Sequence, residues 1–197
     1  MILANLSVPL LGIVDTAILG HLGDSRYLSA VAISTSLLAF LYWGFGFLRM
    51  GTTGASAQTA NMQESAGLLL KALLLSLVIA LFILLAGHKL SHLGLRLMNA
   101  DSTLLPLAQS YLHIRLFSAP AVLATYVVIG WLIGQQNTRW PLLIAIGTNV
   151  LNIALDYLFI VKLNLHSDGA AIASVISEYC GFGLALWAVR SSLKHSI

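Results

Sequence analysis

The sequence predicts an all-α integral membrane protein, a bundle of six transmembrane helices. Three observations lead to that expectation. First, 58% of the 197 residues are hydrophobic and only 9% are charged, with a mean hydropathy of +0.90, whereas an ordinary soluble domain is about 25% charged. A soluble fold of this size cannot hide so much apolar surface, and a chain in lipid must satisfy its backbone internally. Second, apolar runs near the roughly 20 residues needed to cross a bilayer recur along the chain. Third, the basic residues are scattered among loops and span ends. The formal charge of +3 and pI of about 9.2 therefore fit membrane anchoring and not a nucleic-acid partner.

The first span is expected at about residues 1–20. It opens abruptly as MILANLSVPLLGIVDTAILG, with no basic segment before it and no small-residue cleavage site after it. That pattern is not a cleavable signal peptide, and it suggests that residues are missing upstream. HLGDSR supplies a turn before the second span, about 27–58, which is interrupted by Arg49. The third, about 67–87, is the most uniformly apolar. HKLSHLGLRLMNA follows it and is too polar to cross, so a short interfacial helix is expected there. Asp101 or Ser102 is positioned to cap the fourth span, about 102–134, which Pro120 should kink. Pro141 falls in the first turn of the fifth span, about 140–163. NLHSDG leads into the sixth, about 169–189. With six spans, Lys71, Arg139, Arg190 and Lys194 share one side and Arg26, Lys89, Arg96 and Lys162 the other. The tie is broken towards a cytoplasmic carboxy terminus by the terminal RSSLKHS cluster.

Polar groups inside the spans carry the functional signal. In TNVLNIALDYLFI, Asn149, Asn152 and Asp156 fall within an arc of about 60° on one helix face. Asp15 lies in the first span, with Pro9 and Gly12 about two turns and one turn before it. A central Asp costs roughly 2.5–3.5 kcal/mol on insertion scales, so each needs a reason. Burial disfavours the charged form of a carboxyl group, as a proton-coupled site requires. The Asn amides can hydrogen-bond either protonation state, and the same oxygens could coordinate Na⁺. Pro9 and Gly12 weaken backbone bonding beside Asp15 and suggest a helix that bends when the acid is neutralised.

Arg49 and Arg115 read as structural groups that snorkel or pair with an acid. Glu178 is either paired or faces a cavity, and Asn149 is a further candidate to line one. His113 is intramembrane and isolated, while the other histidines read as loop or span-end residues. Cys180 is the single cysteine and reads as a small core residue. No HExxH, CxxC or Gly-rich phosphate loop is present, which disfavours a metal enzyme or an ATP-driven pump, and no cofactor is expected. GTTGASA fits close helix packing.

Six segments in order, PLLGIVDTAILGHLG, FLRMGTTGASAQ, YLHIRLFSAPA, GWLIGQQNTRWPL, TNVLNIALDYLFI and DGAAIASVISEY, resemble the amino-terminal half of a multidrug and toxic compound extrusion (MATE) transporter, most like the DinF-type branch. The resemblance implies one six-helix lobe of a twelve-helix pseudo-two-fold transporter, with the second lobe not present. Such transporters export cationic or amphipathic compounds by alternating access, driven by H⁺ or Na⁺. The resemblance places the family's first-helix acid on Asp15 and its fifth-helix Asn and Asp on Asn152 and Asp156. It also places a fourth-helix Tyr on Tyr111 and a sixth-helix hydroxyl on Ser174. It implies a cytoplasmic amino terminus, a bacterial inner membrane, and a carboxy-terminal lobe and the lipid bilayer as partners.

The expected function is therefore an H⁺-coupled multidrug antiporter, with Na⁺ as the alternative coupling ion. In this scheme, protons taken up from the periplasm neutralise Asp15 and Asp156, the first helix bends, and the drug is released outward. A lipid-linked precursor flippase would need a more cationic cavity. A membrane enzyme would need a nucleophile–base or metal constellation. A non-transporting assembly module would tolerate loss of both acids.

Overall fold

The computed structural model describes residues 18, 20, 24–98 and 101–194. The first predicted span, with Pro9, Gly12 and Asp15, lies outside the described residues except for Ile18 and Gly20. Every regular element described is helical: α1 (Ser25–Gly44), α2 (Phe47–Ala57), α3 (Met62–Leu97), α4 (Leu105–Leu116), α5 (Ala119–Gly134), α6 (Arg139–Asp156), a π-helical segment (Tyr157–Lys162) and α7 (His166–Lys194). Four membrane spans result directly, Ser25–Ala57, Met62–Leu97, Arg139–Lys162 and His166–Lys194. The bent pair α4–α5 supplies a fifth.

Helix α5 is the axis of the bundle. It packs against α2, α3, α6 and α7 and buries Leu123, Val127, Val128, Trp131 and Leu132 among others. Its sequence, APAVLATYVVIGWLIG, is apolar on all sides, as a helix enclosed by others should be. The outer helices are different. Phe40, Trp43, Val78, Phe82 and Leu85 stand exposed, which in a bilayer means contact with acyl chains.

Small residues bring α2 and α5 together. A Cβ at Gly130 would collide with the backbone carbonyl of Arg49, and one at Gly134 would lie 2.6 Å from Ser56 Cβ. The close-packing surface is thus GWLIG of α5. GTTGASA contributes Thr52 and Ser56, which are buried, whereas its Gly51 and Gly54 face open space. Side-chain hydrogen bonds seal this corner. Gln135 Nε2 donates to Ser56 Oγ (3.0 Å) and Ser65 Oγ (2.8 Å), and Trp131 Nε1 donates to Ser65 Oγ (2.8 Å).

Three boundaries differ from the sequence expectation. The second span breaks at Phe45–Gly46, where both amides fold back onto Tyr42 and Trp43 carbonyls, and not at Arg49. Gly44 and Gly46 are poor helix formers, whereas Arg49 is compatible with a helix. The third span does not end near Gly87. Helix α3 starts at a cap, Asn61 Oδ1 accepting from Glu64 N (2.8 Å) while Glu64 Oε2 accepts from Ala60 N (2.9 Å). It then runs unbroken for 36 residues, about 54 Å at 1.5 Å per residue. The expected separate interfacial helix is therefore the continuation of α3. Gly87 and Gly94 do not break it, because each is filled from outside, by Leu116 and Leu37 respectively. Finally, Asp101 caps a turn ahead of α4, accepting from Thr103 N (3.0 Å), and the helix proper begins at Leu105.

The expected kink is present. Helices α4 and α5 meet at 51° with Pro120 in the first turn of α5, where its missing N–H is harmless. At the other end, α5 closes in a Schellman motif. Asn137 N donates to Leu132 O and Gln136 N to Ile133 O, both at 2.9 Å, with Gln136 at φ 59°.

Candidate functional site

The polar stripe of the fifth span becomes a buried face. Asp156 is the last residue of α6 and has no exposed surface, Asn152 one turn earlier is 4% exposed, and Asn149 is half-buried. Helix α7 packs along α6, its Gly181 seated against Thr148. That approach lets Asn152 Nδ2 donate to Ser174 Oγ at 3.4 Å. Tyr111, on α4, is buried at 4% exposure. Asn152 and Ser174 are thus brought together directly, Asp156 lies a turn from Asn152 on the same face, and Tyr111 belongs to the helix that packs on α7. Asp15 is outside the described residues, so its position relative to this face is not part of the geometry.

Immediately after Asp156 the α-helical register gives way to the π-helix Tyr157–Lys162. Leu163 N donates to Leu158 O, five residues back. Wide turns of this kind recur at functional sites, and this one begins at the buried acid. Nothing in the apolar string YLFIVK distinguishes it from ordinary helix, and no local pattern announces the wider turn.

Glu178 is held, not left facing a cavity. Arg115 Nη1 and Nη2 donate to its two carboxylate oxygens at 2.6 and 3.0 Å, with side-chain exposures of 13% for Arg115 and 22% for Glu178. Arg115 thereby gains the acid its position called for. The second correction concerns His113, which is not isolated. Its Nε2 is in hydrogen-bond contact with Nδ1 of His88, and the two rings stack with centroids 4.4 Å apart. The partner is found on the extended part of α3, which sequence reading had placed outside the span.

Among the described residues no group of three His, Cys, Asp or Glu side chains converges as a metal site would require. A groove of 390 Å³ between α1, α3 and α4 is lined by apolar side chains including Leu37, Phe40, Trp43 and Leu116. It contains none of the candidate site residues.

Outside the spans, Asp24 caps α1 by accepting from Arg26 N (3.0 Å). The Arg26 guanidinium, donating to both its oxygens, holds the carboxyl below its ordinary value. Asp101 is likewise lowered, by hydrogen bonds from Thr103.

A multi-pass helical bundle with a buried Asp and Asn inside a membrane-spanning segment, beside a half-buried Ser, defines a class of integral membrane protein in which polar groups within spans are kept for a purpose. The comparisons with known proteins identify it further. The MatE family profile matches residues 1–158, and the chain belongs to that family. It is 41% identical over 98% of its length to DNA damage-inducible protein F of Escherichia coli (strain K12), covering 43% of that protein. It is 26% identical to Multidrug export protein MepA of Staphylococcus saprophyticus, over 90% of this chain and 40% of that one. The crystal structure of MATE in complex with MaD3S superposes with a TM-score of 0.82 at 25% identity, over 94% of this chain and 43% of that one. The chain thus spans less than half the length of these relatives.

Proposed function

We propose that this chain acts as the amino-terminal lobe of a cation-coupled multidrug antiporter of the bacterial inner membrane, working by alternating access with H⁺ as the preferred coupling ion. The observation that carries this reading is Asp156, wholly buried within a membrane span a turn from an Asn152 that already donates to Ser174. A carboxyl group in that setting can exchange a proton while amide and hydroxyl groups satisfy either state. Asp15, Tyr111 and Ser174 complete the proposed coupling set, and Pro9 and Gly12 supply the bend. The names of relatives, a multidrug export protein and a multidrug and toxin extrusion protein, support drug-like small molecules as the cargo, and we take these to be cationic or amphipathic compounds. The carboxy-terminal lobe supplies the other wall of the cavity.

A specific observation favours Na⁺ as the second reading. Asp156, Asn152 and Ser174 offer carboxylate, carbonyl and hydroxyl oxygens on adjoining faces, the hard ligands that such cations take. Dye efflux from proteoliposomes containing the complete transporter separates the readings. Under an imposed pH gradient without Na⁺, wild type is compared with Asp156→Asn and Asp15→Asn. Efflux that follows the gradient and disappears in the variants supports H⁺ coupling. Efflux that waits for Na⁺ recasts the same residues as ligands. Undiminished gradient-driven efflux in Asp156→Asn sinks the assignment.

A further inference from the structure

Helices α4 and α7 pack together, and each carries two polar residues one turn apart on the same face. On α4 these are Tyr111 and Arg115, and on α7 they are Ser174 and Glu178. The pairs form two tiers. The first belongs to the coupling face, through the hydrogen bond from Asn152 to Ser174. The second is the two-point ion pair of Arg115 with Glu178.

The second tier also grips the break in the fourth span. Arg115 Nη1 donates to Ser118 Oγ (3.4 Å) and Ser118 Oγ donates to Arg115 O (2.7 Å), both across the junction of α4 and α5. From α7, Tyr179 Oη donates to Phe117 O (3.0 Å), in the junction itself. Two successive α7 residues, Glu178 and Tyr179, therefore fasten the 51° bend to the sixth span. A guanidinium–carboxylate fork fixes direction as well as distance, so it sets the register of α4 on α7.

We propose that the Arg115–Glu178 ion pair is a positioning device for proton coupling: by locking α4 to α7 at the bend, it holds Tyr111 and Ser174 at their stations around the Asn152–Asp156 face. The inference rests on the coupling role proposed above for Asp156. The titratable groups facing the pair are Tyr42 from α1, Tyr111 from α4 itself and Tyr126 from α5, with Arg49 of α2 beyond Tyr126. All are tyrosines or an arginine, with no carboxyl or imidazole among them, and the pair acts through geometry.

Two charge-conserving variants test this in the complete transporter. Arg115→Lys keeps the charge but loses the fork, and Glu178→Asp keeps the carboxylate but shortens its reach by one methylene. Neither alters the net charge near Asp156, so a change in proton affinity reports where groups sit and not how many charges there are. The readout is the pH profile of gradient-driven dye efflux in proteoliposomes, with Asp156→Asn run alongside. Loosened tiers let Tyr111 and Ser174 shift around the buried acid and leave its ionised form less well accommodated, so the profile midpoint is expected to move upward by about one pH unit, a tenfold change in proton affinity. Wild-type midpoints in both variants, even with reduced maximal efflux, would overturn the proposal and leave the pair as a simple anchor. If Asp156→Asn itself leaves the profile untouched, it is the coupling role of Asp156 that fails. Should one variant not fold, the other alone carries the test.

Discussion

Adding one methyl group at Gly134 should test how tightly the lobe is closed at its α2–α3–α5 corner. An alanine Cβ there would lie 2.6 Å from Ser56 Cβ, 2.7 Å from the Thr53 carbonyl and 3.0 Å from Ser56 Oγ. Ordinary carbon contacts sit near 3.5 Å, so α2 and α5 must separate by most of an ångström. The Thr53 oxygen is backbone and cannot rotate away. Overpacking of this kind costs about 1–3 kcal/mol. Displacing Ser56 also loosens the bonds that Gln135 makes to Ser56 and Ser65, at about 1 kcal/mol each. The alanine returns up to about 1 kcal/mol of helix propensity. The net expectation is a loss of about 3 kcal/mol. Gly54→Ala on α2 is the control, because its Cβ would meet nothing within 4 Å, and it should be neutral or slightly stabilising. Thermal and SDS unfolding of the purified protein in detergent would measure both. A Gly134→Ala protein as stable as wild type, or a Gly54→Ala protein equally weakened, would refute the packing argument.

Two further outcomes follow from the helix ends. Gln136 occupies the left-handed position of the Schellman motif, where a side chain costs roughly 1 kcal/mol that glycine avoids. Gln136→Gly should therefore raise the unfolding midpoint, and a lowered midpoint would mean that the side chain has a partner worth more than the strain. At the start of α1, the folded Asp24 carboxyl lies below its ordinary value because of Arg26. Its capping contribution is therefore complete above the unfolded value of about 3.9 and is lost as the pH falls through the lower folded value. Protection factors of the amides at Ser25 to Leu28, corrected for the intrinsic pH dependence of exchange, should fall in acid for wild type, and Asp24→Asn should remove that fall.

Hydropathy made most of the scaffold legible. Helices Ser25–Ala57, Met62–Leu97, Arg139–Lys162 and His166–Lys194 and the bent pair α4–α5 overlap the later apolar runs, and the bend lies beside Pro120, because proline's effect is local and does not depend on neighbours. The break at Phe45–Gly46 escaped, since Arg49 drew attention by its charge while the two weak helix formers nearby decided the geometry. The length of α3 escaped for the opposite reason. Polar residues after Gly87 suggested a new element, but helical hydrogen bonding continues into a polar environment at no penalty. At the candidate site, Asn152 and Asp156 were readable because 3.6-residue periodicity puts them on one face. The contacts Arg115–Glu178 and His88–His113 join residues 63 and 25 positions apart. No local pattern encodes them; only the packing of α4 on α7 and on α3 does.

The length of α3 sets how the bundle sits in its membrane. A rod of about 54 Å cannot be hidden in a hydrocarbon layer of about 30 Å by leaning over, because that would need a tilt above about 50°, beyond the 0–40° that spans adopt. Its final turns must therefore stand among headgroups and water. There Lys89, His92 and Arg96, spaced three and four residues apart and all exposed, form a basic stripe along one edge of the rod. Phosphate headgroups attract such a stripe. Basic groups held at that level resist movement of the rod's end either into the hydrocarbon or away from the headgroups, so the overlong helix also sets the depth of the lobe.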